Sequence, residues 1–372
     1  MPEHTTSNYN KIIAYLLGFI SFVLFVYILK ALSEIFIPVT IAIFLTYLFH
    51  PLMIYLTKFK IPKWLSLVLI VIVVSGLYYL LGIILVASFS SFPEKLQSYS
   101  ENLSAFLQSV LSPFNITIKE FSEFLNIKVK ELDIGSLFQK LFEAGVIQNI
   151  FNSFSDMLGD IFIAIIFWIF MIMGKDRFEE RLKNAFDERR EFVEKNINTI
   201  DEHLQSYIII KTILSLATSI IATIILWIYG VDFAIVWGLL TFILNYIPNI
   251  GSLIATICPI IVALFEYGLG LTTISMSLLL LVNQNIIGNI IEPHYLGRHM
   301  DLSPVFVLFS LIFWGWIWGI VGMFLAVPIA AAMKILFSNI EPLKPIAILM
   351  GRKTESSDEV GKPAKLIKIP KD

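Results

Sequence analysis

Charge is scarce in this chain. Only 15% of its 372 residues are Asp, Glu, Lys or Arg, against about 25% in a soluble protein. With 57% hydrophobic residues and a mean hydropathy of +0.81, that shortage excludes a soluble globular protein and leaves a membrane protein. The net charge of −2 offers no basic surplus, so nucleic acid is not an expected partner. Cysteine occurs once. Cys258 cannot form an internal disulfide, and in its apolar run it reads as a small packing residue. Catalytic signatures are missing too. There is no G-x-x-x-x-G-K-[ST], no H-E-x-x-H and no G-x-S-x-G, which argues against an ATP motor and against an enzyme. His294 and His299 flank Gly297 at a spacing of five, a poor helical metal pair without further ligands nearby. Neither a metal nor a cofactor is expected. The N-terminus has one base, Lys11, and a long apolar run with no small-residue cleavage site, unlike a signal peptide.

What is present is a series of apolar runs near the length of a membrane span, about 17–25 residues. Ile12–Leu29, Ile35–Leu56, Leu65–Ser88, Leu158–Met173 and Tyr207–Tyr229 read as helices. Phe233–Ile247, Ile250–Phe265 and Leu271–Ile291 form a second group, shorter or interrupted. Ser303–Phe337 is too long for one span, and Gly315, Gly319 and Gly322 permit a hairpin or a bent pair. The fold class is therefore all-α: a polytopic helical membrane protein with broken or re-entrant helices in its C-terminal half and an amphipathic helical insert. The expected organisation is three transmembrane helices in 1–92 and an extracytoplasmic helical insert in 93–156. A fourth span with a cytoplasmic amphipathic helix follows in 157–206, then a transport core in 207–340 and a cytoplasmic tail in 341–372.

Basic residues orient the set. Lys58, Lys60 and Lys63 share a short loop without an acid, which places it in the cytoplasm. Residues 93–156 hold five bases and eight acids and prefer the outside. Alternation then puts both termini and 175–206 inside. Residues 175–206 read as one charged helix, with Phe178, Leu182, Phe186, Val193, Ile197, Ile200 and Leu204 on a common stripe. The plain reading of that stretch is a transmembrane helix extended into the cytoplasm.

The most informative segment runs from Thr212 to Gly297. It has no Lys or Arg, and its acids are Asp232, Glu266 and Glu292. Into this lipid-grade sequence are written Asn245-Tyr-Ile-Pro248-Asn249-Ile-Gly251-Ser252 and Asn283-Gln284-Asn285-Ile-Ile-Gly288-Asn289-Ile-Ile-Glu292-Pro293. A bilayer tolerates a broken helix only where protein or a water-filled cavity satisfies the freed backbone groups. Polar groups at such breaks are expensive and mark pathways or binding sites. Pro248 removes a backbone donor. Gly251 can take positive φ, and Asn249 and Ser252 can rebond freed groups. A helix restarting at Ser252 would present N–H groups and a positive dipole end. Asn283, Gln284, Asn285 and Asn289 offer donors and acceptors without charge, which suits a polar neutral solute or a sodium ion. The competing reading is interhelical hydrogen bonding, worth about 0.6–2 kcal/mol per contact. The candidate pathway set is Pro248, Asn249, Gly251, Ser252, Asn283, Asn285, Gly288, Asn289, Glu292 and Pro293. Glu292 is either a transport carboxylate or an ordinary interfacial one. Gly315-Trp-Ile-Trp-Gly319 would let two helix backbones approach closely, and homo-oligomerisation is an expectation from it.

These motifs carry a resemblance. Ile247-Pro248-Asn249-Ile250-Gly251-Ser252, the run from Asn285 to Gly297, Leu302-Ser-Pro304, and Gly315-(x3)-Gly319-(x2)-Gly322-(x3)-Ala326-Val-Pro328 together resemble the autoinducer-2 exporter family of bacterial and archaeal membrane proteins. The match is strong over 205–337 and architectural before that. Two departures stand out: no glycine follows Lys211 where the family often carries a basic-glycine-glutamine-like stretch, and Phe186-Asp187 replaces a common proline. The resemblance implies a transporter. Family members are linked to signal-molecule export, and some are similar to sodium/proton antiporters in activity. Three readings stay open: a secondary exporter of a small polar metabolite in the cytoplasmic membrane, a sodium(lithium)/proton antiporter using Glu292, and a non-transporting membrane scaffold. The lipid bilayer is a partner in each.

Overall fold

A computed structural model describes residues 3–114, 120, 146–185, 190–296 and 302–351. Among the described residues every regular element is helical. In chain order they are α1 (Glu3–Ala31), α2 (Ser33–Lys58), α3 (Lys63–Leu111), α4 (Val146–Ala185), α5 (Arg190–Ile228), α6 (Ala234–Leu244), α7 (Ile250–Tyr267) and α8 (Leu271–Asn285). A π-helical segment (Ile286–Ile291) leads into α9 (Glu292–Leu296), followed by α10 (Pro304–Ser338) and α11 (Lys344–Met350). Six helices among the described residues are long and apolar enough to cross a membrane. Their outward faces carry large hydrophobic side chains such as Ile72, Phe170, Trp227, Leu278 and Val305, all more than half exposed. A surface of that kind needs an apolar partner, and on helices of this length lipid supplies it.

Polar stretches continue the spans rather than forming separate helices. The stretch 175–206, expected as one helix, is helical over 175–185 and 190–206, and its join lies outside the described residues. Its first part extends α4 beyond the apolar run to Ala185, and its last part is the start of α5. No proline or glycine lies between Arg190 and Ile228, so nothing stops the helix as it passes from polar to apolar sequence. Residues 186–189 lie outside the described residues, as do His299, Asp301 and most of 115–145. Likewise α3 passes without a break from its apolar part to Leu111.

Two hairpins shape the interior. α6 spans 11 residues, about 16 Å at 1.5 Å per residue, too short for a hydrocarbon core of about 30 Å. The chain turns at Asn245–Asn249 and returns as α7. Asn249 takes the left-handed φ of +60°, so the position needing positive φ is not Gly251. Gly251 is helical, and a Cβ there would stand 1.7 Å from the Leu244 carbonyl oxygen. Its role is close approach between the arms of the turn. α7 restarts at Ile250, two residues before Ser252. In α10 the backbone leaves the helix at Trp318 and Gly319. Ser310 Oγ donates to the Ala326 carbonyl at 3.0 Å, and a Cβ on Gly322 would meet the Trp314 carbonyl oxygen at 2.0 Å. Residues that far apart in sequence touch only if the two arms fold back on each other. The Trp318 indole N–H donates to the Leu29 carbonyl at 3.0 Å, which ties that tip to the end of α1.

The core joins these parts. Ile247 of the first hairpin packs with Leu311, Trp314 and Ile317 of the second. Tyr246 packs with Phe44, Tyr207, Ile208 and Leu325. α2 and α4 close around Ala42 and Trp168, both fully buried. On α6, a Cβ at Gly238 would fall 1.7 Å from Thr223 Oγ1 of α5, so the short hairpin is pressed onto α5.

Candidate functional site

α5 is apolar around Lys211, yet it carries Lys211, Ser215 and Thr218 at i, i+4 and i+7, one face of a helix. All three are buried. Opposite them the chain runs through Gln284, Gly288, Asn289 and Glu292, across the π-helical segment. A π turn inserts one residue into the helical register and is frequent at functional sites. The tip of the α6–α7 hairpin brings Asn245, Pro248, Asn249 and Ser252 between the two. Together these residues enclose a polar cavity of about 130 Å³.

Its electrostatic centre is the contact between the Lys211 ammonium and Glu292 Oε1. Lys211 and Glu292 are the only charged side chains lining the cavity among the described residues, so its wall is neutral as a whole. Gln284 Nε2 donates to Asn245 Oδ1 at 3.1 Å, bridging α8 to the hairpin tip. Ser252 Oγ donates to the Asn249 carbonyl at 3.0 Å. Ser215 differs from these. The residue borders the cavity and is 2% exposed, and its Oγ is buried with no hydrogen-bond partner among the described residues. A buried hydroxyl without a partner is costly.

The expected site residues separate into two groups. Pro248, Asn249, Ser252, Gly288, Asn289 and Glu292 line the cavity. Gly251, Asn283, Asn285 and Pro293 do not. Gly251 lies behind the turn against Leu244. Asn283 Nδ2 donates to the Thr218 carbonyl at 3.0 Å, buried between α8 and α5, and is interhelical glue. Asn285 caps its own helix, donating to the Leu281 carbonyl, and accepts from Asn289 Nδ2, each at 2.8 Å. Pro293 is exposed beyond Glu292. In a helix, consecutive residues point to different faces, so a polar run cannot line one cavity as a block. Sequence reasoning passed over Lys211, Ser215 and Thr218 as site residues. The signal was their helical spacing, together with a lysine inside a membrane-grade run, an expensive residue by default.

A second polar cluster sits at the other end of the hairpin, where α6 begins and α7 ends. The Asp232 backbone N–H donates to Glu266 Oε1 at 2.8 Å. The Tyr99 hydroxyl lies 3.0 Å from Asp232 Oδ2 and 3.3 Å from Glu266 Oε1, and the Lys95 ammonium is 3.0 Å from Asp232 Oδ2. Both come from the far part of α3. Burial and the adjacent acids push the Tyr99 hydroxyl far above its ordinary pKa, so it acts as a donor. The hydrogen bond to Asp232 and that group's charge raise Lys95. A shallow cavity of about 260 Å³ borders this cluster.

A helical bundle of this length, with an apolar exterior and a polar cavity at a hairpin tip, has the architecture of a multi-pass membrane protein. The chain belongs to the AI-2E transporter family, whose model matches residues 19–341. It is 30% identical over 346 residues to a putative transport protein of Haemophilus influenzae, covering 90% of this chain and 95% of that one. It is 29% identical to the AI-2 transport protein TqsA of Escherichia coli K12, over 86% of this chain and 90% of TqsA. It is 26% identical to the putative transport protein YrrI of Bacillus subtilis, over 82% and 86%.

Proposed function

We propose that this protein is a secondary exporter of a small polar, uncharged solute of the autoinducer-2 kind, held during passage in the cavity between α5, α8 and the α6–α7 hairpin tip. The observation that carries this reading is the cavity itself, bordered by Asn245, Asn249, Ser252, Gln284 and Asn289 around a Lys211–Glu292 pair. Amides and hydroxyls on that wall supply donors and acceptors, and the paired charges of Lys211 and Glu292 supply none in excess. The volume supports a solute near the size of benzene, since an apolar cavity of about 150 Å³ accepts that molecule. The likeness to TqsA supports a signalling molecule as cargo. A scaffold would leave this space filled by side chains. An antiporter needs a carboxylate open to a cation, whereas Glu292 is already paired.

The orientation proposed is both termini in the cytoplasm and 93–156 outside, in the cytoplasmic membrane of a bacterium or archaeon. Cysteine labelling at Ser122 in a Cys258→Ala background tests it, with reaction expected only from outside. The test of function is flux. Protein reconstituted in liposomes is offered autoinducer-2 and a panel of small polyols and sugars. Gln284→Leu and Asn245→Leu should each slow flux about tenfold, the loss of one buried hydrogen bond to solute. Full flux in both, in folded protein, would remove the cavity from the pathway.

A further inference from the structure

We infer that Lys211 is a built-in counter-cation: its ammonium occupies the place at Glu292 that a coupling sodium or lithium ion would otherwise take. The inference goes beyond the transport reading and rests on it only for the statement that solute shares this cavity. Three observations support it. The pair is in direct contact, and Lys211 is 5% exposed. No second carboxylate lines the cavity among the described residues. The remaining wall includes the amides of Asn245, Asn249, Gln284 and Asn289 beside apolar residues such as Leu214 and Ile287, and amide oxygens would complete the shell of a small cation if Lys211 were absent.

Competition at this carboxylate is unequal. A sodium ion arriving from solution gives up translational freedom and part of its hydration, while the ammonium is tethered one side chain away. Displacement would also leave the lysine charge buried without a partner, the costliest state of such a pair. The carboxylate is therefore saturated from within, and the cavity is ready for an uncharged solute at any sodium concentration. It follows that Glu292 does not couple solute export to a sodium gradient, and that the sequence position deciding this is 211.

Removing the tether should create the cation site that the wild type lacks. In detergent with choline as the only cation, Lys211→Met should lower the unfolding temperature by about 10 °C. Sodium, lithium or methylammonium at 0.1 M, an amount set by ordinary ionic strength, should restore about half of that loss. Wild type should shift by no more than about 1 °C across the same salts. The double variant Lys211→Met/Glu292→Gln, which has no charge to neutralise, should fold and ignore the cation. A sodium-stabilised wild type would overturn the inference. So would a Lys211→Met protein that no cation recovers while the double variant folds, or a double variant that still responds. Solute flux from the same preparations is read separately: normal flux in Lys211→Met with its sodium response intact would reject the cavity as the pathway and keep the counter-cation.

Discussion

A lysine and a carboxylate pair near each end of the α6–α7 hairpin, and the two pairs are built differently. At the tip, Lys211 and Glu292 have side chains 7% and 23% exposed, and they face a cavity walled by neutral groups. At the base, Lys95 and Asp232 are 46% and 26% exposed, and Tyr99, Glu266 and the Asp232 backbone share the hydrogen bonding. The tip pair depends on itself for neutralisation, since water reaches Lys211 poorly. The base pair has water, a phenol and a second carboxylate to redistribute charge. The same residue types thus serve as a site element in one place and as an anchoring contact in the other.

The sharpest way to break this comparison is to delete each lysine. Lys211→Ala leaves Glu292 unpaired inside the protein and should destabilise it by about 3–5 kcal/mol. Lys95→Ala removes an exposed, water-screened partner and should cost about 0–1 kcal/mol. Thermal or denaturant unfolding in detergent would measure both. Equal losses would mean that burial does not distinguish the pairs.

The backbone at the tip offers the next test. Gly251→Ala would place a methyl 1.7 Å from the Leu244 carbonyl oxygen, and overpacking of this kind costs about 1–3 kcal/mol. Gly76→Ala on α3, where a Cβ meets nothing within 4 Å, should be neutral or slightly stabilising through helix propensity. A tip that tolerates Gly251→Ala as well as α3 tolerates Gly76→Ala would be looser than described.

The tip and the base also differed in how far the sequence announced them. Pro248, Asn249 and Ser252 were legible because proline and asparagine in an apolar run demand a turn, and the turn lies where that demand is strongest. Glu292 was legible as an acid in lipid-grade sequence. Lys211 was not read as its partner, because the two are 81 positions apart and only folding sets α5 against α9. Asn283 and Asn285 looked equivalent to Asn289 in a linear run, yet helical rotation turned one into interhelical glue and another toward its own backbone. The base cluster was not assembled at all. Asp232 and Glu266 stand out in the sequence as rare acids, but Lys95 and Tyr99 lie far away in sequence, in the polar part of α3. The continuity of α3 past the apolar run is what carries them to the hairpin.

The smallest effect concerns the base and its response to pH. Tyr99→Phe removes a hydroxyl that touches two carboxylates, and should cost about 1 kcal/mol near neutrality. Both Tyr99 and Lys95 have pKa values raised in the folded protein. For the tyrosine, an unfolded chain ionises near pH 10 while the folded one stays neutral. For the lysine, the unfolded chain loses its proton near pH 10.4 while the folded one keeps it. In each case the folded state holds the extra proton, so the stability these groups contribute is fully present below about pH 10 and falls as pH rises beyond it. Wild type should therefore show flat unfolding free energy from these groups between about pH 7 and 9, then a decline. The decline should be shallower in Tyr99→Phe, and shallower again with Lys95→Met added. A difference between wild type and Tyr99→Phe that already changes between about pH 6 and 8 would mean that the carboxylates at the base, rather than the phenol and the ammonium, set its titration. The anchoring role assigned to this end would then give way to a proton-responsive one.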